Sequence, residues 1–100
     1  FFGIEPEDIT PELADAFKLP RQGGVYVRGV MRDAPAQKAG MEPGDIIVSI
    51  NDMRVQNTPG VLGQIAKLPP GATARVTVLR NARELGLNVT VGERPRPDRS

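Results

Sequence analysis

The chain has 100 residues, of which 39% are hydrophobic and 25% are charged, and its net charge is +1. This length allows one domain with a modest core and is too short for two domains. A nearly neutral chain has no strong field to recruit nucleic acid or an anionic membrane, and 4% aromatic residues are too few for a base-stacking surface. No apolar run approaches the ~20 residues of a membrane span, so we expect neither nucleic acid nor membrane contact from this segment.

The residue types that most enzymes use for covalent catalysis are scarce. Histidine and cysteine are absent, and serine occurs only at Ser49 and Ser100. A Ser-His-Asp or Cys-His arrangement therefore cannot be assembled, and a zinc site would need carboxylates alone. The sequence predicts no catalytic residue, metal or cofactor in this segment.

Acidic residues occur in two groups that could be considered as acid/base pairs. Each group lies beside proline or glycine, which mark turns. We interpret these side chains as solvated turn residues: Glu5, Glu7 and Asp8 in one group, and Glu42 and Asp45 in the other.

The chain begins with Phe1-Phe2-Gly3-Ile4, an apolar run that glycine interrupts. One interpretation is a first strand with a glycine bulge. The other is functional: glycine allows another backbone to approach closely and leaves amide N–H groups pointing outward, where they can hold a carboxylate. The residues alone do not decide between the two.

A helix start follows at Thr10, which can cap the helix with Pro11 at its first position. The run from Val25 to Met31 predicts a strand, and Gly29 within it indicates a bulge.

The stretch from Asp33 to Asn51 organises the middle of the chain. Asp33 is predicted to cap a short helix that has Pro35 in its first turn and Gly40 at its end. A Pro-Gly turn follows. The run Ile46-Ile47-Val48-Ser49-Ile50 then predicts a buried strand that ends at a turn at Asn51.

A polar crossing from Asp52 to Asn57 leads to a second helix. Thr58 is the predicted cap of this helix, and Pro59 its first residue. An apolar stripe follows at helical spacing, at Val61, Leu62, Ile65 and Leu68. Two strands joined near Asn81-Ala82 complete a domain over residues 1–92, and the proline- and arginine-rich residues 93–100 are expected to form a disordered tail.

The middle stretch resembles the signature of PDZ domains. That signature has a small residue before Pro-Ala, then Ala-Gly, and then hydrophobic-x-x-Gly-Asp-x-Ile. The matching positions here are Ala34-Pro35-Ala36, Ala39-Gly40-Met41 and Gly44-Asp45-Ile46-Ile47. The resemblance implies an α+β fold: a partly open β-sandwich or barrel of five to six strands with two to three helices.

The order of elements is similar to the circularly permuted PDZ domains of bacterial HtrA/Deg serine proteases, which begin with an apolar-Gly-apolar motif like Phe2-Gly3-Ile4. Single-PDZ members that sense envelope stress are most similar. The resemblance implies a parent protein that is a trypsin-like serine endopeptidase, a homotrimer, located in the periplasm or cell envelope and with an inner-membrane anchor as one option. Implied partners are its own protease domain and the C-terminal peptides of misfolded or signal proteins.

The implied mechanism is addition of a peptide strand to a sheet edge. The backbone amides of Phe2, Gly3 and Ile4 would hold the peptide carboxylate, while the last side chain enters an apolar pocket. The pocket residues implied are Phe2, Ile4, Val61, Leu62 and Ile65, although Val61 could instead turn into the core.

Two positions affect the ligand. PDZ domains that select Ser or Thr two residues before the terminus carry His at the start of the second helix, where this chain has Thr58. The resemblance therefore favours ligands with plain hydrophobic termini. Pro6 has no N–H, so the paired stretch should be only three or four residues long.

Alternative functions remain open from the sequence. The groove could dock within the parent protein without binding a free peptide. The domain could also belong to an intramembrane metalloprotease or a secretion component. An independent enzyme is disfavoured because histidine and cysteine are missing.

Overall fold

The computed structural model describes residues 2–18 and 23–92. Within these ranges the chain forms six strands and three helices. In chain order they are β1 (Ile4–Asp8), α1 (Pro11–Phe17), β2 (Val25–Val30), α2 (Pro35–Lys38), β3 (Ile46–Ile50), β4 (Met53–Arg54), α3 (Thr58–Ala66), β5 (Thr73–Arg80) and β6 (Arg83–Thr90). The predicted α+β fold with five to six strands and two to three helices is confirmed.

The strands form one antiparallel sheet in the order β1-β2-β3-β5-β6, and the short β4 pairs with β3. β1 and β6 lie at the two ends of this order. Ala74, Val76 and Val78 alternate along β5 and therefore share one face of the sheet. They belong to one buried cluster with Ile47 and Ile50 of β3. The largest fully buried side chains include those of Phe2, Ile47, Ile50, Val25, Val27, Val61, Val76, Val78 and Val89.

The bulge predicted at Gly29 lies next to that residue. In the β1–β2 pairing Glu5 is opposite Gly29, while Pro6 is opposite Val27, so Arg28 is the extra residue on β2. A bulge bends the strand that carries it and increases its twist. The bend occurs beside the start of β1, where the candidate site lies.

Two helix ends agree with the sequence-based prediction, and two N-caps differ from it. Thr10 caps α1 through its Oγ1, which accepts a hydrogen bond from the Leu13 N–H at 3.1 Å. The prediction that Asp33 caps α2 is wrong, because Asp33 has a left-handed φ of 61° and the extended residue Ala34 takes the cap position. Gly40, with a φ of 97°, follows the end of α2 as predicted.

The cap of α3 is displaced by one residue. Asn57, not Thr58, is the cap residue, and its Oδ1 accepts a hydrogen bond from the Gly60 N–H at 2.8 Å. Pro59 is consequently the second helical residue. Asn57 has an extended backbone conformation, which a cap requires, and its side-chain oxygen competes well with that of threonine.

The polar crossing from Asp52 to Asn57 contains a strand that the sequence did not predict, β4. The turn before it has Asn51 and Asp52 at φ of 51° and 65°, and the β5–β6 turn has Asn81 and Ala82 at 52° and 65°. Two successive left-handed residues make the turn type that suits the twist of a hairpin. No helix in residues 2–18 or 23–92 is long and apolar enough to cross a membrane. The predicted disordered tail at 93–100, and Phe1, lie outside the described residues.

Candidate functional site

β1 has an open edge beside α3. In the described part of the chain β1 pairs with β2 along one edge, and α3 is in contact with it. An edge strand presents backbone groups that can pair with another chain. The cleft between β1 and α3 is therefore the candidate site, and we refer to it as the β1–α3 cleft.

The backbone of Ile4 faces this cleft edge. The Met31 N–H donates to the Gly3 carbonyl at 2.8 Å, and Ile4 is opposite Val30. In an antiparallel ladder this bond places Ile4 and Val30 in a non-hydrogen-bonded pair, whose own N–H and C=O groups point away from each other's strand. The N–H and C=O of Ile4 are thus directed to the open edge.

Phe2 and Gly3 are held by their carbonyls. The Phe2 carbonyl accepts a bond from the Ala36 N–H at 3.0 Å, and the Gly3 carbonyl accepts the bond from Met31. Neither the Phe2 nor the Gly3 N–H has a hydrogen-bond partner within residues 2–18 and 23–92. These two free N–H groups lie beside the outward-facing N–H of Ile4, and together the three can donate hydrogen bonds to an anion.

Gly3 needs to be glycine for two reasons. Its φ is +78°, a conformation that side chains with a Cβ adopt at a cost. A Cβ at this position would also overlap with the Cβ of Ala34. The structure therefore requires glycine at this position under either interpretation of the Phe1–Ile4 run.

The predicted pocket residues differ in exposure. Phe2 is buried, Ile4 is partly buried and packs against the core, and Ile65 is 8% exposed. Leu62 is 52% exposed. Because residues 58, 62 and 65 recur at helical spacing, the exposed Leu62 and the nearly buried Ile65 lie on one side of α3 with Thr58.

Val61 is fully buried in the core cluster. Of the two alternatives for this residue, the structure places its side chain in the core. It supports the position of α3 from beneath. Any contact of Val61 with a ligand remains a prediction.

Asp8 joins the two walls of the cleft. Its Oδ1 accepts a hydrogen bond from the N–H of Thr58, the first residue of α3, at 2.5 Å. This bond from the backbone lowers the pKa of the Asp8 carboxyl below its ordinary value, and a hydrogen bond from the Thr58 side chain lowers it further. Asp8 thus accepts from the Thr58 N–H and Asn57 from the Gly60 N–H. Both are N–H groups of the first turn of α3, which have no acceptor within the helix.

The carbonyl of Pro6 also faces the open edge. Its partner Val27 donates its N–H to the Asp45 carbonyl and accepts from the Gly44 N–H, both at 2.8 Å. The backbone groups of Val27 therefore point away from β1, so Pro6 and Val27 form a second non-hydrogen-bonded pair. At Pro6 the edge offers an acceptor but no donor.

Asp45 corrects the interpretation of the acidic groups. It is 1% exposed, and it is therefore not a solvated turn residue. Its Oδ1 accepts from Arg80 Nε at 2.8 Å and its Oδ2 from Arg80 Nη2 at 2.7 Å, while the Glu42 N–H also donates to Oδ2. The hydrogen bonds to Asp45 raise the pKa of Arg80 above its ordinary value.

Arg80 extends this contact to the end of α2. Its Nη2 donates to the Gly40 carbonyl at 2.8 Å, and its Nη1 is 3.5 Å from Glu42 Oε2. The side chain thus fixes the turn before β3 against β5. Among the described residues no group of acidic side chains is arranged to hold a metal ion.

Sequence reasoning missed two contacts that shape the cleft, Asp8 with Thr58 and Gly3 with Ala34. Asp8 lies fifty positions before its partner Thr58, and Ala34 lies far along the chain from Gly3. No local pattern indicates either contact. The alternation of β1 places the side chain of Asp8 on the same side as that of Ile4, which would have been the only available signal.

The amino-acid sequence matches the family model described as "PDZ domain" over residues 1–91. It is 31% identical, over 98% of its length, to a probable periplasmic serine endoprotease, DegP-like, from Pseudomonas putida, of which it covers 20%. The protein of the same description from Hahella chejuensis is 32% identical over 98 residues, which are 21% of that protein. The chain thus spans about a fifth of the length of these curated relatives.

Solved structures give the same comparison. The HtrA-type protease AlgW with a decapeptide superposes with a TM-score of 0.88 at 37% identity, covering 97% of this chain and 30% of AlgW. The HtrA3 PDZ domain bound to the phage-derived ligand FGRWV superposes with a TM-score of 0.78 at 28% identity, covering 90% of this chain and 82% of that domain. The predicted resemblance to the PDZ domains of HtrA/Deg proteases is confirmed.

Proposed function

The chain belongs to the PDZ domain family, and we propose that its β1–α3 cleft binds the carboxyl-terminal residues of other polypeptides. The observation that carries the proposal is the set of amides at the start of β1. The N–H groups of Phe2 and Gly3 lack partners in the described structure, and that of Ile4 faces the open edge.

The peptide would add as a strand antiparallel to β1. Its carboxylate would accept hydrogen bonds from Phe2, Gly3 and Ile4, and the N–H of its last residue would donate to the Ile4 carbonyl. Hydrogen bonds to a charged group contribute roughly 1.5–3 kcal/mol each where water is excluded. These backbone bonds supply affinity but no sequence preference.

Side-chain selection would come from the apolar wall of the cleft. The last side chain would lie against Ile4, Leu62 and Ile65, above the buried Phe2. A hydrophobic terminus suits this lining, because Leu62 leaves half of its surface available for burial. Thr58 lacks the imidazole that Ser- or Thr-selective PDZ domains have at this position. The residue two before the terminus should therefore be selected weakly.

The relatives support a role for the domain within a larger protein. Proteins similar to this chain are described as periplasmic serine endoproteases and HtrA-type proteases. We assign the chain to a parent endoprotease of the cell envelope, where the domain would recognise C-termini of misfolded or signal proteins. Activation by such a peptide requires that it bind the active state more tightly than the inactive one.

Chemical-shift mapping tests the binding itself. Acetylated hexapeptides ending in Phe, Val or Leu are titrated into the ¹⁵N-labelled domain, and the amides of Gly3 and Ile4 are expected to shift most, followed by those near Leu62. The matched control is the same peptide with an amidated terminus, which should lose most of the affinity because it cannot form the charge-assisted bonds.

Two results would contradict the proposal. Unmoved Gly3 and Ile4 amides at millimolar peptide would favour the alternative in which the cleft docks within the parent protein. Equal binding of the amidated and free-acid peptides would exclude carboxylate capture while leaving strand addition possible.

A further inference from the structure

We propose that the β1–α3 cleft is closed at its far end and takes only the last three residues of a polypeptide, so that residues further upstream add no affinity. This inference rests on the proposed function and specifies its ligand. Two independent features carry it, one on the backbone of β1 and one between β1 and α3.

The first feature is the missing donor at Pro6. A strand added to β1 forms reciprocal bonds at the outward-facing residues, which are Ile4 and Pro6. With the last peptide residue opposite Ile4, the third from the end lies opposite Pro6. Its N–H can donate to the Pro6 carbonyl, but its own carbonyl finds no N–H in return. The ladder therefore weakens at the third residue.

The second feature is the bond between Asp8 and Thr58. Asp8 is the last residue of β1 and Thr58 the first of α3, so their bond of 2.5 Å crosses the space between the two walls. The next outward-facing position after Pro6 would be Asp8, where the fifth residue from the peptide terminus would pair. The peptide would meet the Asp8 carboxylate where the walls are tied together.

Both features act on the same end of the cleft, opposite the amides of Phe2 and Gly3. The ladder loses a bond at Pro6. Two residues later, the bond between Asp8 and Thr58 crosses the cleft. A bound chain gains backbone bonds through its third residue and must then leave the edge. Recognition would depend on the carboxylate, the last side chain and the N–H of the third residue.

The test compares acetylated tripeptides and hexapeptides that share the same last three residues and end in Val. Isothermal titration of the domain should give dissociation constants that agree within about twofold, since three added residues find no partners. A hexapeptide that binds more than about fivefold tighter than the tripeptide overturns the inference and leaves the proposed function intact. Failure of both peptides to bind overturns both.

Two variants separate the features. Pro6→Val supplies an N–H on the open edge and should tighten both peptides roughly 2–10-fold, the gain of one hydrogen bond. Asp8→Ala removes the crossing bond and should tighten only the hexapeptide. Glu84→Ala is the charge-matched control, since Glu84 is exposed on β6, and it should change neither constant.

A peptide ester distinguishes the Pro6 effect from a change in cleft shape. The amide between the third-last and second-last peptide residues is replaced by an ester. This makes the carbonyl that would face residue 6 a weaker hydrogen-bond acceptor. The wild-type domain should bind ester and amide peptides equally, whereas Pro6→Val should bind the ester several-fold more weakly. Loss of ester binding by the wild type, or an equal response in both proteins, overturns the role of Pro6. If Asp8→Ala fails to fold, Pro6→Val and the ester peptide still test the role of Pro6, and the comparison of tripeptide with hexapeptide still tests the length of the ligand.

Discussion

The space that a Cβ of Gly3 would occupy is filled by the Cβ of Ala34. Gly3 also has a φ of +78°, so the start of β1 depends on glycine for both its conformation and its packing. This contact joins the amides of the cleft to the N-terminus of α2. The proposed carboxylate site and the fold of the middle stretch therefore depend on the same contact.

Gly3→Ala is expected to destabilise the domain and abolish peptide binding. The left-handed conformation alone costs about 1–2 kcal/mol for a residue with a Cβ, and the overlap with Ala34 adds to it. The double variant Gly3→Ala/Ala34→Gly removes the overlap and should recover part of the stability but not the conformational cost. Urea unfolding measures both, and full recovery in the double variant would show that the conformation at Gly3 is unstrained.

Asp45→Ala should be among the most destabilising single substitutions. It removes the carboxylate that accepts from Arg80 Nε and Nη2 and from the Glu42 N–H, and breaking a buried pair costs about 3–5 kcal/mol. The lower part of that range is expected, since Arg80 is 24% exposed. Glu42→Ala is the control: Glu42 is 3.5 Å from the same arginine but largely exposed, so its loss should cost less than about 1 kcal/mol. Equal unfolding free energies for the two variants would contradict this assignment.

Ala82→Gly is expected to stabilise the domain. Ala82 is the second left-handed residue of the β5–β6 turn, with a φ of 65°, and Asn-Gly is the preferred pair for such turns. Relief of the strain should exceed the added entropy of glycine in the unfolded chain, for a net gain of about 0.5–1 kcal/mol. Ala66→Gly, at the end of α3, should instead cost up to about 1 kcal/mol. Thermal unfolding measures the stability of both variants. A change of the same sign in the two would contradict the prediction.

Leu62→Ala should weaken peptide binding without lowering stability appreciably. Leu62 is 52% exposed in the free domain, so its truncation removes little buried surface. Burial of its remaining apolar surface by a ligand is worth about 1 kcal/mol, or roughly fivefold in affinity. Met53→Ala, at 55% exposure on β4, provides a control of similar exposure away from the cleft. Unchanged affinity in Leu62→Ala would remove this residue from the proposed pocket.

The bond between Asp8 and Thr58 predicts a pH-dependent contribution to stability. The folded-state pKa of Asp8 is lowered, so its contribution is fully present above the ordinary carboxyl pKa of about 4 and is lost as the pH falls through the lower folded value. Asp8→Ala should be less stable than the wild type at neutral pH, and the two unfolding free energies should converge in acid. A gap that stays constant from pH 7 down to acid denaturation would contradict the prediction.

Local patterns identified the family of this domain and its elements except β4. Thr10-Pro11, Pro35 and Gly40 mark helix ends through backbone preferences that act within a few residues, and the apolar runs of β3, α3 and β5 report burial through their spacing. Because these effects are short-ranged, they can be read without knowing the fold. The same holds for the missing donor at Pro6, which follows from the covalent structure of proline.

Contacts between distant segments were decided only by the tertiary structure. The sequence showed Asp45 as a turn residue, whereas its burial depends on Arg80, thirty-five positions later. It left the orientation of Val61 open, and the packing of α3 over the sheet turned that side chain into the core. Asp8 and Thr58 meet because β1 and α3 are adjacent in space. A hydrogen bond or an ion pair depends on the relative position of two segments, and that position results from the packing of the whole chain.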